Sequence, residues 1–209
     1  MSIRDIISKK SLSVQRGRDK DSVPNAKLGR DFENQIQAVC DIYQELRVAY
    51  IQRFEVPKQF IPPNPKTGKP GFMCYKKKTG FDFVGGIICN GLDKIAGIRL
   101  NACFIEAKSN REGSIPVWQE SSGIKKHQLD RLIWLENMGF FCLILWEVRS
   151  AGAVYKLSPN KLAELVPYEE GSKSTKLTVD DCEENKIPRI VKMKYRGQDY
   201  YDFLGELEQ

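Results

Sequence analysis

The sequence holds one histidine, His127, and six cysteines with no C-x-x-C pair among them. With one histidine, a histidine-built zinc centre or a Ser-His-Asp triad has little support, and scattered thiols give no support to a cysteine zinc site. The motifs G-x-S-x-G, G-x-x-x-x-G-K-[ST] and G-x-G-x-x-G do not occur, which removes the main cues for a hydrolase elbow, a P-loop and a dinucleotide fold. No stretch of about 18 apolar residues exists to span a bilayer. The N-terminus is polar and charged, without an apolar signal core. The expectation is a soluble, cytoplasmic protein with no membrane partner and reduced cysteines. Cys89, Cys103 and Cys142 lie in apolar runs, where a thiol packs as a small hydrophobe.

What is present suffices for one domain with a real core, since hydrophobic residues make up 41% of 209 positions. The net charge of +6 is uneven. Residues 1–30 carry eight basic and three acidic residues, and a second cluster comprises Lys66, Lys69, Lys76, Lys77 and Lys78 with no acid between them. Such clusters suit a polyanion, because each neutralised phosphate releases counterions; on their own they fit a solvated tail and loop equally well.

Residues 1–26 read as a flexible basic arm. A helix follows from about Leu28 to Leu46, where Phe32, Ile36, Val39, Ile42 (with Tyr43) and Leu46 draw one apolar stripe. Residues 48–56 read as a short strand. The prolines of segment 57–71 exclude a continuous helix or central strand and leave a loop or an extended projection. Strands are expected at 79–90 and 98–108, separated by a turn with Gly91 and Asp93, and a polar loop at 109–122. A helix is expected from Ile124 to Asn137, with Gly139 at its end. Residues 140–148 are almost continuously apolar, as in a strand buried on both faces. A further strand at 154–157 precedes a short helix opened by Ser158-Pro159. The tail from Glu169 is polar until a late strand in IPRIVKMKYRG. The order indicates an α/β fold: a mixed sheet flanked by helices. Ile87-Ile88 and the first helix are either core or a subunit interface.

The segment Phe104-Ile105-Glu106-Ala107-Lys108 is the most informative. Side chains alternate along a strand, so Glu106 and Lys108 face one way, about 7 Å apart, and Ala107 faces the other. If the strand carrying Asp82 pairs with this one, Asp82 and Glu106 converge on one ion. Phosphodiester hydrolysis asks for that grouping: oxygen ligands for Mg²⁺ or Mn²⁺, a metal to activate water and phosphate, and a lysine to neutralise developing charge. The Ala107 carbonyl is a candidate third metal ligand. A similar spacing, Asp180 or Asp181 followed by Glu184-Asn185-Lys186, lies in a polar run with nothing to hold it rigid. Gln128 sits inside the apolar stripe of its helix and so calls for a polar partner, for which the cleft is one source. Glu33 follows Phe32, and as an acid early in a helix it is also explained by the helix dipole.

Together, Gly29-x-x-Phe32-Glu33, a Pro- and Lys-rich insertion, Thr79, Asp82-Phe83-Val84-Gly85, Phe104 to Lys108 and His127-Gln128 resemble the RecU-type Holliday junction resolvases of the PD-(D/E)xK nuclease superfamily. The resemblance covers about residues 27–150. It implies a restriction-endonuclease-like mixed sheet with a projecting basic stalk, formed here by residues 57–78 of a nuclease domain at 27–168, and a homodimer acting on branched DNA. It makes Asp82 and Glu106 metal ligands and Lys108 the catalytic lysine, with Gln128 supporting the site and Glu33 near it. Arg30, Lys66, Lys69, Lys76, Lys77, Lys78, Thr79, Lys125, Lys126 and His127 are the candidate DNA contacts. The chain departs from the family in having Val84 in place of Asn, Phe104 in place of Asp, and a longer segment between Asp82 and Glu106. Residues 169–209 form an extension whose role the sequence leaves open. Another PD-(D/E)xK endonuclease of repair or restriction type, or a nucleic-acid-binding protein without catalysis, are the alternative readings.

Overall fold

The computed structural model describes residues 25–54, 58–63, 68, 70–75, 80–89, 99–119, 122–168 and 175–205. The basic arm up to residue 24, the turn at Gly91 and Asp93, and Lys66, Lys69, Lys76, Lys77, Lys78 and Thr79 lie outside them.

Helix α1 (Asn25–Glu45) forms on the expected stripe, with Phe32, Ile36, Val39, Ile42 and Tyr43 buried along one face. Leu46 falls beyond its end and stays exposed. The helix stops because Arg47 takes a left-handed conformation (φ 61°) and the Val48 N–H returns to the Tyr43 carbonyl at 3.0 Å. The chain then enters β1 (Ala49–Arg53). The proline-rich segment contains a two-stranded antiparallel ribbon, β2 (Lys58–Ile61) with β3 (Phe72–Tyr75), outside the main sheet. The main sheet has five strands in the order β1, β4 (Phe83–Cys89), β5 (Arg99–Asn110), β7 (Phe141–Val148), β8 (Ala153–Leu157). All its pairings are antiparallel except β5 with β7. A parallel pair needs a crossover. It is supplied by β6 (Ser114–Pro116) and helix α2 (Lys126–Asn137).

The sheet is covered on both faces. α1 packs on Phe83, Ile87, Cys103, Ile105, Ala107, Leu143 and Leu145. Leu129, Leu132 and Leu135 of α2 pack on Cys142, Ile144 and Trp146. β7 therefore feeds alternate residues to two cores, which explains its unbroken apolar sequence. Ile87 belongs to the α1 core rather than to an exposed face.

Two sequence expectations are corrected. The polar segment 109–122 is not all loop, since β5 runs on to Asn110 and β6 pairs with β9 (Lys176–Thr178), a partner about 60 residues away that no local pattern announces. The run at Asp180 to Glu184 is the helix α4 (Val179–Glu184), set by a capping box in which the Thr178 hydroxyl accepts from the Asp181 N–H and the Asp181 carboxylate accepts from the Thr178 N–H. Asp181 is thus turned back on its own helix.

Helix α3 (Pro159–Leu165) begins at the Ser158 cap as expected, its hydroxyl accepting from the Lys161 N–H. The remaining tail closes both cores. Leu177 and Cys182 join the α2 side. Ile190 and Phe203 join the α1 side, flanking the hairpin of β10 (Lys192–Tyr195) and β11 (Gln198–Tyr201). The Tyr43 hydroxyl locks this tail, donating to Asp202 at 2.6 Å and accepting from the Leu204 N–H at 3.0 Å.

Gly85 allows β1 to approach β4. A Cβ built there would lie 2.0 Å from the Tyr50 carbonyl oxygen, a backbone atom that cannot step aside. Gly29 in α1 faces open space. Gly85→Ala is expected to lower unfolding free energy by about 1–3 kcal/mol, whereas Gly29→Ala should raise it by about 0.5–1 kcal/mol, both read from urea unfolding.

Candidate active site

The chemistry-bearing side chains meet where β4 begins beside β5. Phe83 pairs with Ile105, so the residue before it lies level with Glu106. Asp82 precedes the strand rather than lying within it, yet its backbone is held on both sides. Its N–H donates to the Ile105 carbonyl at 2.8 Å, and its carbonyl accepts from the Phe54 N–H at 2.7 Å. Its carboxylate accepts the Ala107 N–H at 2.9 Å. A side chain that satisfies a backbone donor of the next strand has its orientation fixed before any ligand arrives.

Alternation along β5 divides the residues as expected. Ala107 turns to the α1 core, and Glu106 and Lys108 turn to the α2 side. Glu106 is wholly buried, with 0% of its surface exposed. One of its oxygens, Oε1, contacts the Lys108 ammonium and accepts from Gln128 Nε2 at 2.5 Å. Its other oxygen, Oε2, is buried and has no hydrogen-bond partner among the described residues. Gln128 owes its place to the start of α2. Its Oε1 accepts from the Lys125 N–H at 3.2 Å, so the residue that caps the helix also grips the carboxylate.

Glu33 comes from α1, within electrostatic reach of Asp82 and Lys108. It is paired at 3.5 Å with Arg53, the last residue of β1. Arg53 also donates to Asn34 at 3.2 Å and lies over the Phe83 ring at 5.7 Å. Sequence reasoning missed Arg53, because its neighbours come from a helix 20 residues earlier and nothing local marks it. Of the candidate DNA contacts that are described, Lys125, Lys126 and His127 form the first turn of α2 beside Gln128, and Arg30 lies exposed one turn before Glu33.

The electrostatics follow from burial. Desolvation pushes the Glu106 carboxyl up to about 7; Lys108 opposes this and the charge of Asp82 adds to it. Glu33 is raised for the same first reason, then by Asp82, against the pull of Arg53 and Lys108. Burial works against the Lys108 ammonium, but Glu106, Asp82 and Glu33 outweigh it and hold its pKa above the ordinary value. An orphaned buried carboxylate oxygen beside a second, oriented carboxylate is the donor set a hard divalent cation takes.

The wall next to α2 holds a second group. Trp118, in the loop before the helix, has a left-handed backbone (φ 66°), rare for a bulky residue. Its indole N–H donates to the Val166 carbonyl at 2.6 Å, and its ring meets the Tyr168 ring edge-on at 5.5 Å.

A sequence model of the family described as Recombination protein U, RecU, matches residues 27–206. The chain belongs to the RecU family. RecU proteins are Holliday junction resolvases and hence endonucleases, a class that uses a divalent cation. The match runs past the 27–150 covered by the motifs and takes in the tail that closes both cores. Comparison with curated proteins finds no match. Among solved structures the chain is similar to Hjc of Archaeoglobus fulgidus, a Holliday junction resolvase from an archaeal hyperthermophile. That likeness has 15% identity over 73% of this chain and 90% of the other, with a TM-score of 0.38, too distant to bear on the site.

A carboxyl whose folded pKa is raised favours the fold fully below the ordinary carboxylate range and loses that contribution as pH rises through the raised value. Glu106 and Glu33 act in the same direction. With chelator present, the melting temperature is expected to fall by several degrees between about pH 5 and pH 8. In Glu106→Gln the slope should flatten, which scanning calorimetry across that range checks.

Proposed function

We propose that this RecU-family protein cuts four-way DNA junctions by Mg²⁺-dependent phosphodiester hydrolysis, with Asp82, Glu106 and Lys108 at the chemical centre. The observation that carries this is the fully buried Glu106 carboxylate with one unpartnered oxygen, set beside Lys108 and the oriented Asp82. Burying a carboxylate costs several kcal/mol unless it is paired. Lys108 and Gln128 satisfy one oxygen, and the other is left for a cation.

Asp82 and Glu106, with the Ala107 carbonyl, are the residues that would hold it. The donors are all oxygen, which favours Mg²⁺, with Mn²⁺ as a substitute. When bound, the cation supplies Lewis-acid activation of water and of the phosphate. The chain supplies the rest. Lys108 neutralises charge developing on the phosphoryl oxygens and orients the attacking water. Gln128 holds Glu106 in one rotamer, and the Ala107 N–H does the same for Asp82. Glu33, paired with Arg53, borders the centre on the α1 side.

The nuclease unit would be residues 27–168 in a restriction-endonuclease-like arrangement. Residues 57–78 would be a stalk that enters the junction through Lys66, Lys69, Lys76, Lys77 and Lys78, with Thr79 contacting DNA just after it. Arg30, Lys125, Lys126 and His127 would contact backbone phosphates near the cut. Among the described residues no helix is long and apolar enough to cross a membrane, and a DNA substrate would suit a cytoplasmic protein.

Two symmetric cuts need two sites, hence a homodimer. An apolar strip supports it. Trp134 on α2 and Met138 just past its end are 60% and 58% exposed. Phe140 follows them, and its ring continues to Phe104 at 5.7 Å, Phe81 at 4.9 Å and Phe54 at 5.2 Å. Exposed apolar side chains at the end of α2, followed by this aromatic run, are candidates for a contact surface.

With Mg²⁺, the protein is expected to make paired nicks in a synthetic four-way junction and to leave linear duplex intact. Asp82→Asn should reduce the rate by about a thousandfold or more while junction binding persists. Equal cutting of both substrates would refute junction selectivity. In sedimentation, the protein should run as a dimer and a Trp134→Glu, Met138→Glu variant as a monomer; an unchanged dimer would place the interface elsewhere.

A further inference from the structure

Lys126 stands at the first position of α2, two residues before the glutamine that bonds Glu106. Its ammonium pairs with Asp130 at 2.7 Å and also lies 4.8 Å from the centre of the Tyr168 ring and 5.9 Å from that of Trp118. The two rings are in edge contact. Tyr168 is 50% exposed, so the core does not need its ring. Trp118 is fixed independently of the lysine. Its indole N–H is bonded to the Val166 carbonyl, the preceding Val117 N–H donates to the Thr175 carbonyl at 3.0 Å, and the Thr175 hydroxyl donates back to the Val117 carbonyl at 2.8 Å. A bulky residue held in a left-handed conformation is strained, and such strain persists where surrounding bonds over-determine it. The indole also packs in part against the α2-side core, but the backbone conformation itself does not call for tryptophan, since glycine takes it freely.

Two aromatic faces and an ammonium, at the same end of α2 as the Gln128 that bonds Glu106, match the parts of one unstacked nucleotide. A ring face takes the base, and the cation takes its phosphate. We propose that Trp118 and Tyr168 stack on an unpaired nucleobase of the DNA strand close to the scissile phosphate, and that Lys126 neutralises the adjoining phosphate. The proposal rests on the nuclease reading and deepens it by assigning a base-stacking subsite. In the DNA-free protein Lys126 occupies the ring faces. On binding, the phosphate draws the ammonium away and the base takes its place. Selection of branched DNA follows, because a base at a branch point unstacks at less cost than one inside a duplex.

The test uses a four-way junction carrying 2-aminopurine at single positions flanking the cut, bound by the full chain in the Asp82→Asn background so that no cleavage intervenes. Fluorescence should change on binding at one of these positions. The change should be lost in Tyr168→Ala and Trp118→Ala and kept in Trp118→Phe. Junction affinity should fall about tenfold in Tyr168→Ala, and Lys126→Ala should reduce the salt slope by about one. Tyr168→Ala, whose ring is half in solvent, guards against misfolding of the tryptophan variant. Unchanged fluorescence together with affinity within twofold in Tyr168→Ala would overturn the proposal. The unsubstituted protein with Mg²⁺ is run on the same junction: cutting there alongside an inert Tyr168→Ala removes the subsite alone, whereas no cutting removes the nuclease reading with it.

Discussion

The contact between the Glu106 carboxylate and its two partners, Lys108 and Gln128, decides how the rest of the molecule is arranged. A carboxylate with no exposed surface is destabilising unless partners surround it. Lys108 arrives from the same strand by alternation, but Gln128 must be brought from another element. That requires α2 to start directly over β5, and the parallel pairing of β5 with β7 makes a helical crossover on that face necessary. The topology thus places the first turn of α2 where the buried acid needs a donor. The N-terminal end of a helix also carries partial positive charge, which suits a site that receives phosphate.

The same logic explains why the centre lies at the end of a strand pair. Within a ladder the backbone groups satisfy one another. At the start of β4 the Ala107 N–H of the neighbouring strand is available, and the Asp82 side chain takes it. A residue one place further along would point into the α1 core with Phe83. Gly85, which lets β1 close against β4, brings Arg53 and Phe54 up to the backbone of Asp82.

Much of this was legible in the sequence because it is written in local periodicity. Glu106 and Lys108 share a face by strand alternation, Ala107 shows the opposite face, and Gln128 within an apolar stripe announced a partner. The stripe of α1 and the doubly buried β7 were readable for the same reason. Other features depend on neighbours distant in the chain. Arg53 matters only because α1 passes beside β1. Trp118 and Tyr168 meet across 50 residues, and the left-handed backbone of Trp118 has no compositional signature, since glycine is the residue that normally marks it. β6 is three residues long and exists because β9 pairs with it. The tail likewise looked polar and unplaced, though Leu177, Cys182, Ile187, Ile190 and Phe203 within it close the two cores.

The charge balance at the centre links metal to substrate. Glu33, Asp82 and Glu106 face Lys108 and Arg53, so the pocket carries one negative charge more than it can cancel. Without a cation it relieves this by retaining a proton on Glu106, whose pKa burial has already lifted to about 7. Only the fully ionised pocket would repel an incoming phosphodiester. On the proposed reading a divalent cation would reverse the sign, and the single negative charge of the scissile phosphate would then restore neutrality. Metal and DNA strand would each lower the electrostatic cost of the other, so that binding of the two would be cooperative by charge alone. A neutral side chain at any of the three acidic positions would weaken that coupling even where it left the shape of the pocket intact.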